Sequence, residues 1–396
     1  MAASILSIDR QSITLLTQRL VCTPSLSGHE GALAALVAEE MRSVGWSVTL
    51  DDMGNVIGKL GPESGKKLLL DTHLDTVGVG DPAAWSRDPY GGEIEGGVLY
   101  GRGAADTKGA LAAMIYAGGV VARSGIALNG TLCLTAVVQE EPCEGLAIGH
   151  VLAREGMRPD WVVIGEPTNL HLVRGQRGRI LFHVTVKGRA SHAATPERGV
   201  NAIYGAARAI VGLELLAQQL NQDSFLGKGS IAVTEITSTS GSRNAVPDSC
   251  TLYVDRRLTA GETEGKALAE LRRELAREGV QATVEVSEWS DVSYTGLALS
   301  ARQVFPYWIT SQDEPLAVTA ARAIEETLGF IPRLGRWDFS TDGVYTAGVA
   351  GIPTIGFGPG EERYAHTANE QVRLQDVEAA ARVYADLVVR LLGKGK

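Results

Sequence analysis

Apolar residues in the first part of the chain alternate between helical spacing and short continuous runs. A helix is predicted between Ser27 and Gly45, because apolar side chains recur there every three or four residues, at Leu33, Leu36, Val37, Met41 and Val44. The segment Ser27–Glu30 has the spacing of a capping box, and Gly45 is a typical helix stop. Continuous apolar runs typical of buried strands occupy residues 67–73, 131–138 and 161–164.

Helices are predicted between these strands. Asp106 is a candidate N-cap for a helix that ends near Gly118 and Gly119, and a further helix is predicted over residues 145–154. Strands that alternate with helices are typical of an α/β layer with a largely parallel sheet. The first 176 residues are therefore predicted to begin such a layer.

A different order of elements comes next, between about residues 177 and 294. Strands are predicted at 179–187, 230–238, 249–258 and 282–286, and helices at 200–220 and 264–278. The order β-α-β-β-α-β is that of a ferredoxin-like α+β unit. A helix from Pro315 to Gly329, a strand at 352–357 and a helix at 375–392 then resume the α/β layer. We therefore expect one α/β domain, residues 1–176 and 295–396, interrupted by an inserted domain, residues 177–294.

Composition excludes several classes of protein. The 396 residues carry 37 Lys and Arg against 46 Asp and Glu, a net charge of −9. Dedicated binders of nucleic acid or anionic membranes depend on basic patches, so neither partner is expected. No apolar run is long enough to span a membrane, and Met1–Arg10 lacks the pattern of a secretory signal. Four scattered cysteines without a C-x-x-C pair fit a reducing cytoplasm.

Metal-ligating residues come after several of the predicted strands. His73 ends the first strand and is followed by Asp75, and the groups after later strands are Glu140, Glu141, Glu166 and His366. Ligands of open α/β sheets bind beyond the carboxyl ends of the strands, so these side chains are expected to converge, with Asp106 entering from a loop. Because a metal-bound histidine usually donates its second N–H to a carboxylate or carbonyl, His73-Leu-Asp75 is suggestive.

Two histidines with three or four carboxylates suit Zn²⁺, Co²⁺ or Mn²⁺, and they suffice for two ions if one carboxylate bridges. The alternative is that Asp106 only caps a helix, that Glu140 and Glu141 form a solvated edge, and that their place after strands is chance. Pattern alone leaves both interpretations open. Glu140 and Glu141 are adjacent, so they can serve one site only where the strand breaks, which Pro142 is predicted to cause.

Five motifs together resemble the M20 metallopeptidases, a family that contains acetylornithine deacetylase, succinyl-diaminopimelate desuccinylase, aminoacylase and carboxypeptidase G. The motifs are His73-Leu-Asp75, Tyr100-Gly-Arg-Gly-Ala-Ala-Asp-Thr-Lys-Gly109, Glu140-Glu141, Gly165-Glu-Pro-Thr168 and His366-Thr-Ala-Asn-Glu370. Their order and spacing are family-like over nearly the whole chain. Arg174-Gly-Gln-Arg-Gly-Arg179 and Phe339–Tyr345 are most similar to an uncharacterised hydrolase subgroup linked to selenium-metabolism genes.

The resemblance implies a zinc-peptidase-like mixed sheet flanked by helices, two Zn²⁺ ions (Co²⁺ or Mn²⁺ as alternatives) and a set of roles. His73 and Glu166 would bind one ion, Glu141 and His366 the other, and Asp106 would bridge them. Asp75 would orient His73, and Glu140 would act as the general base. The resemblance also implies a cis peptide bond between Asp106 and Thr107.

The inserted domain, interpreted through the same resemblance, would be a lid that also forms a homodimer. His192, in Ala190-Ser-His-Ala-Ala-Thr-Pro196, would reach the substrate carbonyl, often in the neighbouring subunit. Arg257 and Asn244 would hold the carboxylate of the substrate; Arg256 would face the other way on a strand, unless a bulge exchanged the two arginines. Ser340 and Thr341 lie where relatives carry a substrate loop.

These implications predict a two-metal hydrolase that cleaves an amide bond in an N-acyl amino acid or a dipeptide. Deacetylases, desuccinylases, dipeptidases and carboxypeptidases share this kind of site, so the motifs do not choose among them. A catalytically silent, metal-dependent binding or scaffold protein is the alternative from another class. Glu140 separates the two hypotheses, because a binding module has no need of an unliganded base.

Overall fold

The computed structural model describes residues 8–394. The prediction that no secretory signal is present depends mainly on the first seven residues, which lie outside this range. The α-helices in this range are α1 Arg10–Val21, α2 Gly31–Ser43, α3 Gly109–Arg123, α4 Leu146–Arg154, α5 Ala202–Gln219, α6 Glu264–Arg277, α7 Pro315–Leu328 and α8 Leu374–Leu392. No helix among the described residues combines the length and the apolar character that crossing a membrane requires.

Two sheets contain the principal strands. Those of the larger sheet are β1 Ser47–Leu50, β2 Val56–Leu60, β3 Lys66–His73, β4 Gly130–Val137, β5 Trp161–Ile164, β6 Leu172–Gln176, β12 Trp308–Ile309, β13 Leu334–Trp337 and β14 Thr354–Gly356. Those of the smaller sheet are β7 Gly178–Lys187, β8 Ser230–Thr239, β9 Ser249–Leu258, β10 Ala282–Val286 and β11 Val304–Phe305.

The larger sheet is mixed. Its order is β1-β2-β4-β3-β5-β14-β6-β12, and β13 also pairs with β6. The central strands β4, β3, β5 and β14 run parallel, whereas the pairs β1-β2, β2-β4, β14-β6 and β6-β12 are antiparallel. Helices flank this sheet around one apolar core, which confirms the predicted α/β class. Because the carboxyl ends of parallel strands all point the same way, the residues immediately after β3, β4, β5 and β14 lie at the same end of the sheet.

The smaller sheet has the order β8-β9-β7-β10, with all pairs antiparallel. Helices α5 and α6 pack on it and share its separate apolar core. This arrangement confirms the ferredoxin-like order predicted from the sequence. The boundaries 176/177 and 294/295 stay predictions.

The connection between the two sheets is very short. β6 ends at Gln176 and β7 begins at Gly178, so Arg177 alone separates them. A Cβ atom on Gly178 would lie 2.6 Å from both the Phe305 carbonyl oxygen and the Tyr307 nitrogen. Only glycine at position 178 therefore lets the segment from β11 to β12 pass this close. The two segments that connect the sheets, one at Arg177 and one between Phe305 and Trp308, thus lie side by side.

Two sequence predictions about helix ends are wrong. Ser27 and Glu30 do not form a capping box, because Ser27 Oγ donates to Asp75 Oδ2 over 2.7 Å and Glu30 Oε1 accepts from the backbone of Gly28 and Gln139. Helix α3 does not stop at Gly118, because the ring of Trp46 packs directly on that glycine inside the helix. Long-range contacts outweigh the local signal at both places.

Candidate metal centre

Asp106 lies between two histidines that come from distant parts of the chain. Its Oδ1 is 3.1 Å from His73 Nε2, and its Oδ2 is 3.2 Å from His366 Nε2. Glu166 Oε1 lies 3.4 Å from His73 Nε2, and Glu141 Oε2 lies 2.9 Å from His366 Nε2. The carboxylate of Asp106 thus joins two half-sites, one with His73 and Glu166 and one with His366 and Glu141.

Asp106 is not the N-cap that the sequence pattern allowed. Helix α3 begins at Gly109, after Lys108, and Asp106 has non-helical backbone angles. The Asp106–Thr107 peptide bond is cis, as the family resemblance implied. The side chain of Asp106 faces the two imidazoles and does not cap the helix.

Asp75 organises the centre through backbone groups. His73 Nδ1 is 2.9 Å from the Asp75 carbonyl oxygen and 3.5 Å from its Oδ1, so a ring N–H at this nitrogen has its acceptor on Asp75. The Asp75 carboxylate also accepts the backbone N–H groups of Glu140 and Glu141, each over 3.1 Å. One residue thus fixes the ring of His73 and the two glutamates that come after β4.

The break in the strand that lets Glu140 and Glu141 share one site occurs earlier in the chain than predicted. β4 ends at Val137, and Gln139 has a left-handed backbone with φ 56°, so the strand alternation breaks before Pro142 is reached. Glu30 accepts the N–H of Gln139 over 3.2 Å, and burial raises the pKa of Glu30 to about 7. Sequence reasoning missed Glu30, because its spacing from Ser27 suggested a helix cap.

Glu370 holds the loop that carries Asp106. It is completely buried, and its carboxylate accepts the N–H groups of Gly103, Ala105 and Asp106 and a guanidinium N–H of Arg102 over 2.6–3.0 Å. Burial raises the pKa of Glu370 to about 7. This residue closes the motif that begins with His366, so the segment that supplies one histidine also positions the central carboxylate.

Burial and mutual charge perturb the pKa values of the cluster. Burial and the charge of Asp106 raise the pKa of Glu166 to about 7, and they also raise the pKa of Glu141. Hydrogen bonds to Asp106 and Glu141 raise the pKa of His366 to about 10. Burial acts to raise the pKa of Asp106, but hydrogen bonds from His366 and His73 outweigh it and lower the pKa. The raised pKa values mean that Glu141, Glu166 and His366 retain protons to higher pH in this cluster. Divalent cations bound there would balance the same negative charges.

The distances fit such ions. Two ligands of one tetrahedral Zn²⁺ ion, each about 2.1 Å away from it, stand about 3.4 Å apart. The separations from Asp106 and Glu166 to His73, and from Asp106 to His366, are 3.1–3.4 Å. Two groups of three residues also have candidate ligand atoms that lie within 4.8 Å of one another inside each group. The groups are His73, Asp106 and Glu141, and His73, Glu140 and Glu166. The donor set suits two ions with Asp106 between them.

Glu140 differs from its neighbours. It is only 5% exposed, and its Oε1 has no hydrogen-bond partner among residues 8–394. Burial raises its pKa well above the ordinary value, against the opposing charge of His73. Glu141 Oε1 also lacks a partner, but Glu141 Oε2 contacts His366, whereas Glu140 makes no such contact to a histidine among the described residues.

The cluster opens into a cavity of about 370 Å³, the site cavity. Its walls are formed by Asp106, Glu140, Glu141, Glu144, Glu166, Arg179, Arg257, Phe339, Ser340, Glu362, Ala365 and His366. Arg256 is fully buried elsewhere and pairs with Glu262 and Glu270, whereas Arg257 lines the cavity. The two arginines thus face as the strand alternation predicted, without a bulge. Glu144 and Arg179 were not identified from the sequence, because neither belongs to a metal-ligand pattern.

The two residues of the predicted substrate loop are placed differently. Ser340 lines the site cavity. Thr341 is fully buried, and its hydroxyl donates to Gln176 Oε1 over 2.6 Å. Ser340 is thus available to a molecule in the cavity, whereas the side chain of Thr341 holds the loop against β6.

His192 and Asn244 lie together on the inserted domain. His192 pairs with Ala245 in a short two-stranded ladder, and Ala193 donates its N–H to the Asn244 carbonyl over 2.8 Å. His192 is exposed, and neither residue is among those that line the site cavity. The structure therefore brings together the predicted metal ligands, Glu140, Arg257 and Ser340, but keeps this pair apart from them.

Comparisons with known proteins identify the family. The model for "Peptidase family M20/M25/M40" matches residues 69–390. Uncharacterized protein YgeY of Escherichia coli K12 is 40% identical over 375 residues, which cover 94% of this chain and 93% of that protein. Succinyl-diaminopimelate desuccinylase of Stenotrophomonas maltophilia is 29% identical over 390 residues, 95% of this chain and 98% of the enzyme.

The fold is also found in solved structures. The Bacillus subtilis YXEP protein, described as a dinuclear metal binding peptidase, matches with a TM-score of 0.72 at 15% identity, over 97% of this chain and 98% of that one. Identity this low shows a common fold alone. The fold includes both the mixed sheet and the inserted domain.

Proposed function

The chain belongs to peptidase family M20/M25/M40, a family of metallohydrolases, and from this premise we propose that it is a two-metal amidohydrolase acting on a small N-acyl amino acid or dipeptide. One observation carries the proposal: each oxygen of Asp106 faces a separate histidine–glutamate pair. The unpartnered Glu140 beside this cluster favours an enzyme over a silent binding or scaffold protein.

Two groups of residues would hold the ions. His73, Glu166 and Asp106 Oδ1 form the first, and His366, Glu141 and Asp106 Oδ2 form the second. Two bound divalent ions, which we propose to be Zn²⁺ with Co²⁺ or Mn²⁺ as alternatives, supply Lewis acidity that acidifies water and polarises a carbonyl group. The chain fixes the geometry, since Asp75 orients His73 and Glu370 holds the loop of Asp106.

The reaction needs a proton carrier, and we assign this role to Glu140. Its carboxylate would accept a proton from the attacking water and deliver it to the nitrogen of the departing amine. A buried carboxyl group with a raised pKa suits both transfers. It accepts a proton from water more readily than an exposed carboxylate does, and it can still give that proton up to the amine. Arg257 and Ser340 would contact the substrate carboxylate from the cavity wall.

His192 and Asn244 would complete the site from outside it, contacting the carbonyl oxygen and the carboxylate of the substrate. Because neither residue lines the cavity of its own chain, we propose that they act after movement of the inserted domain or in the neighbouring subunit of a dimer. Cytoplasmic location completes the proposal, in line with four cysteines that are all free.

A direct assay tests the function. The chelator-treated protein is reloaded with Zn²⁺, Co²⁺ or Mn²⁺ and offered N-acetyl and N-succinyl amino acids and dipeptides, and the released amines are measured by mass spectrometry. We expect metal-dependent release of an amino acid from at least one class. A protein that binds two ions per chain but cleaves none of these amides would instead be a silent binding protein.

The proposed dimer has a suitable surface on the inserted domain. β8 is an edge strand with Ile236 half exposed, and α5 carries an exposed apolar stripe at Tyr204, Val211 and Leu215. Unpaired edges and apolar stripes of this kind are normally covered by a partner. We propose that a second copy of the chain covers them.

The double variant Tyr204→Glu and Val211→Glu is expected to be monomeric in light-scattering measurements, because it places charges on that stripe. If His192 acts across the dimer, the monomer will keep two metal ions and lose turnover. Ile331→Glu is the control, since Ile331 is 77% exposed but lies between α7 and β13. A dimer that persists in the double variant would place the interface elsewhere.

A further inference from the structure

One wall of the site cavity carries two arginines, each of which makes an ion pair. Arg179 Nη1 lies 3.2 Å from Glu144 Oε1, and Arg257 makes two hydrogen bonds to Asp255, over 2.8 and 3.1 Å. Arg179 and Arg257 are register partners on β7 and β9, so their side chains leave the sheet on the same face. Two guanidinium groups therefore stand side by side, each with its own carboxylate.

The charge of this wall is balanced. Two arginines and two carboxylates sum to zero, so the wall offers no net positive charge to a substrate with several carboxylates. A guanidinium has five N–H donors, which leaves donors on Arg257 for one further carboxylate. Arg179 Nε also has no partner in the described part of the chain, so the two arginines can share one substrate carboxylate, which leaves Glu144 for a group of a different kind.

Glu144 supplies the acceptor for that other group. Its side chain is 6% exposed, Oε1 pairs with Arg179, and Oε2 has no partner in the described part of the chain. A buried carboxylate oxygen without a donor is costly. Glu262 makes a similar buried pair with Arg256, but there both oxygens are bonded, to Arg256 over 2.7 Å and to the Thr259 N–H over 2.9 Å. Both carboxylate oxygens of Glu262 are thus hydrogen-bonded within the fold. Glu144, which lines the site cavity, has one carboxylate oxygen without a donor.

We propose that Glu144 is a specificity-determining residue whose Oε2 accepts an N–H from the side chain of the amino acid that the enzyme releases. The inference rests on the proposed amidohydrolase function and narrows its substrate class. Because Arg179 and Arg257 are neighbours, the carboxylate at Arg257 and the N–H group at Glu144 belong to the same half of the substrate. The preferred product is an amino acid with an amino or carboxamide side chain.

Matched substrates test the inference. Nα-acetyl-lysine and Nα-acetyl-norleucine differ by the side-chain amino group, and the acetylated forms of glutamine and glutamate compare a donor with an acceptor. We expect kcat/KM for the lysine or glutamine substrate to exceed that of norleucine by about 10- to 100-fold, as for loss of one charged hydrogen bond. Glycyl dipeptides of the same four residues extend the test to a peptidase.

Variants of Glu144 connect that preference to the residue. Glu144→Gln presents an amide N–H in place of an acceptor, so the preference over norleucine should fall about tenfold or more, while the glutamate substrate gains relative to glutamine. Glu144→Asp withdraws the acceptor by one methylene and should also reduce the preference, which keeps the test usable if the glutamine variant does not fold. Glu262→Gln, the matched control, should keep the wild-type ratio.

The outcomes separate the two proposals. If wild-type protein with two bound ions cleaves no amide in the panel, the proposed function fails. If it cleaves lysine, glutamine and norleucine substrates equally well, or if Glu144→Gln and Glu144→Asp leave their ratio unchanged, the amidohydrolase stands and the role of Glu144 is overturned. Metal content and thermal unfolding, measured for every variant, show that a changed ratio arises in a folded, loaded protein.

Discussion

Glu140→Gln is expected to lower kcat by about 10²- to 10⁴-fold, the usual contribution of a general acid–base group, while the protein still binds two metal ions. The substitution keeps the shape of a side chain that is 5% exposed, so packing is preserved. It removes the oxygen that would carry the proton from water to the amine. Turnover on the best substrate of the panel, together with metal content, provides the measurement.

Glu141→Gln is the matched control, since it changes the same kind of side chain one position further on. Glu141 contacts His366 over 2.9 Å, so its substitution should weaken one metal half-site and lower activity through metal loss. Excess metal should then restore activity to Glu141→Gln but not to Glu140→Gln. Wild-type turnover in Glu140→Gln would remove Glu140 from the mechanism.

Asp106→Ala is expected to abolish detectable activity and to reduce the metal content well below two ions per chain. Asp106 is the described side chain that contacts both His73 and His366, so its loss takes one ligand from each half-site. The remaining glutamates would be left without the carboxylate that joins the two sites. Elemental analysis of the purified variant measures the loss directly.

Asp342→Asn provides the comparison for Asp106→Ala, because Asp342 is a buried acid that accepts the Gly145 N–H and contacts neither histidine. It should keep both ions even if its stability falls. Two ions per chain in Asp106→Ala would show that the carboxylate does not bridge. The proposed division into two half-sites would then be wrong.

Much of the centre was accessible from the sequence because strand ends are easy to recognise. Buried runs such as Leu68–Leu70 mark a strand without any knowledge of its neighbours, and the parallel arrangement then brings together the residues just beyond each strand. His73, Glu141 and Glu166 were found in this way. His366 lies ten residues beyond the end of β14, so its place after a strand was weaker evidence than the family motif.

The supporting residues were not accessible, for a physical reason. Glu30 has a good local explanation as part of a capping box, but its actual partner, Gln139, lies 109 residues away. Glu370 likewise bonds to the Asp106 loop across 264 residues. Local patterns cannot rank such distant partners against nearby ones. The choice between Arg256 and Arg257 came from the family resemblance, because strand alternation says only that the two side chains face opposite ways and not which of them faces the cavity.

If the inserted domain moves, as we propose for His192 and Asn244, the one-residue connection at Arg177 makes that domain a lever. At about 3.3 Å per residue, Arg179 lies about 7 Å from this pivot, whereas Lys187, at the other end of β7, lies about 33 Å away. Lys187 pairs with Ser249, close to the loop of Asn244. A rotation about Arg177 therefore displaces the far end roughly five times as much as the arginine wall. A substrate held at Arg179 and Arg257, as we propose, would stay in place while the remote groups swing through a long arc.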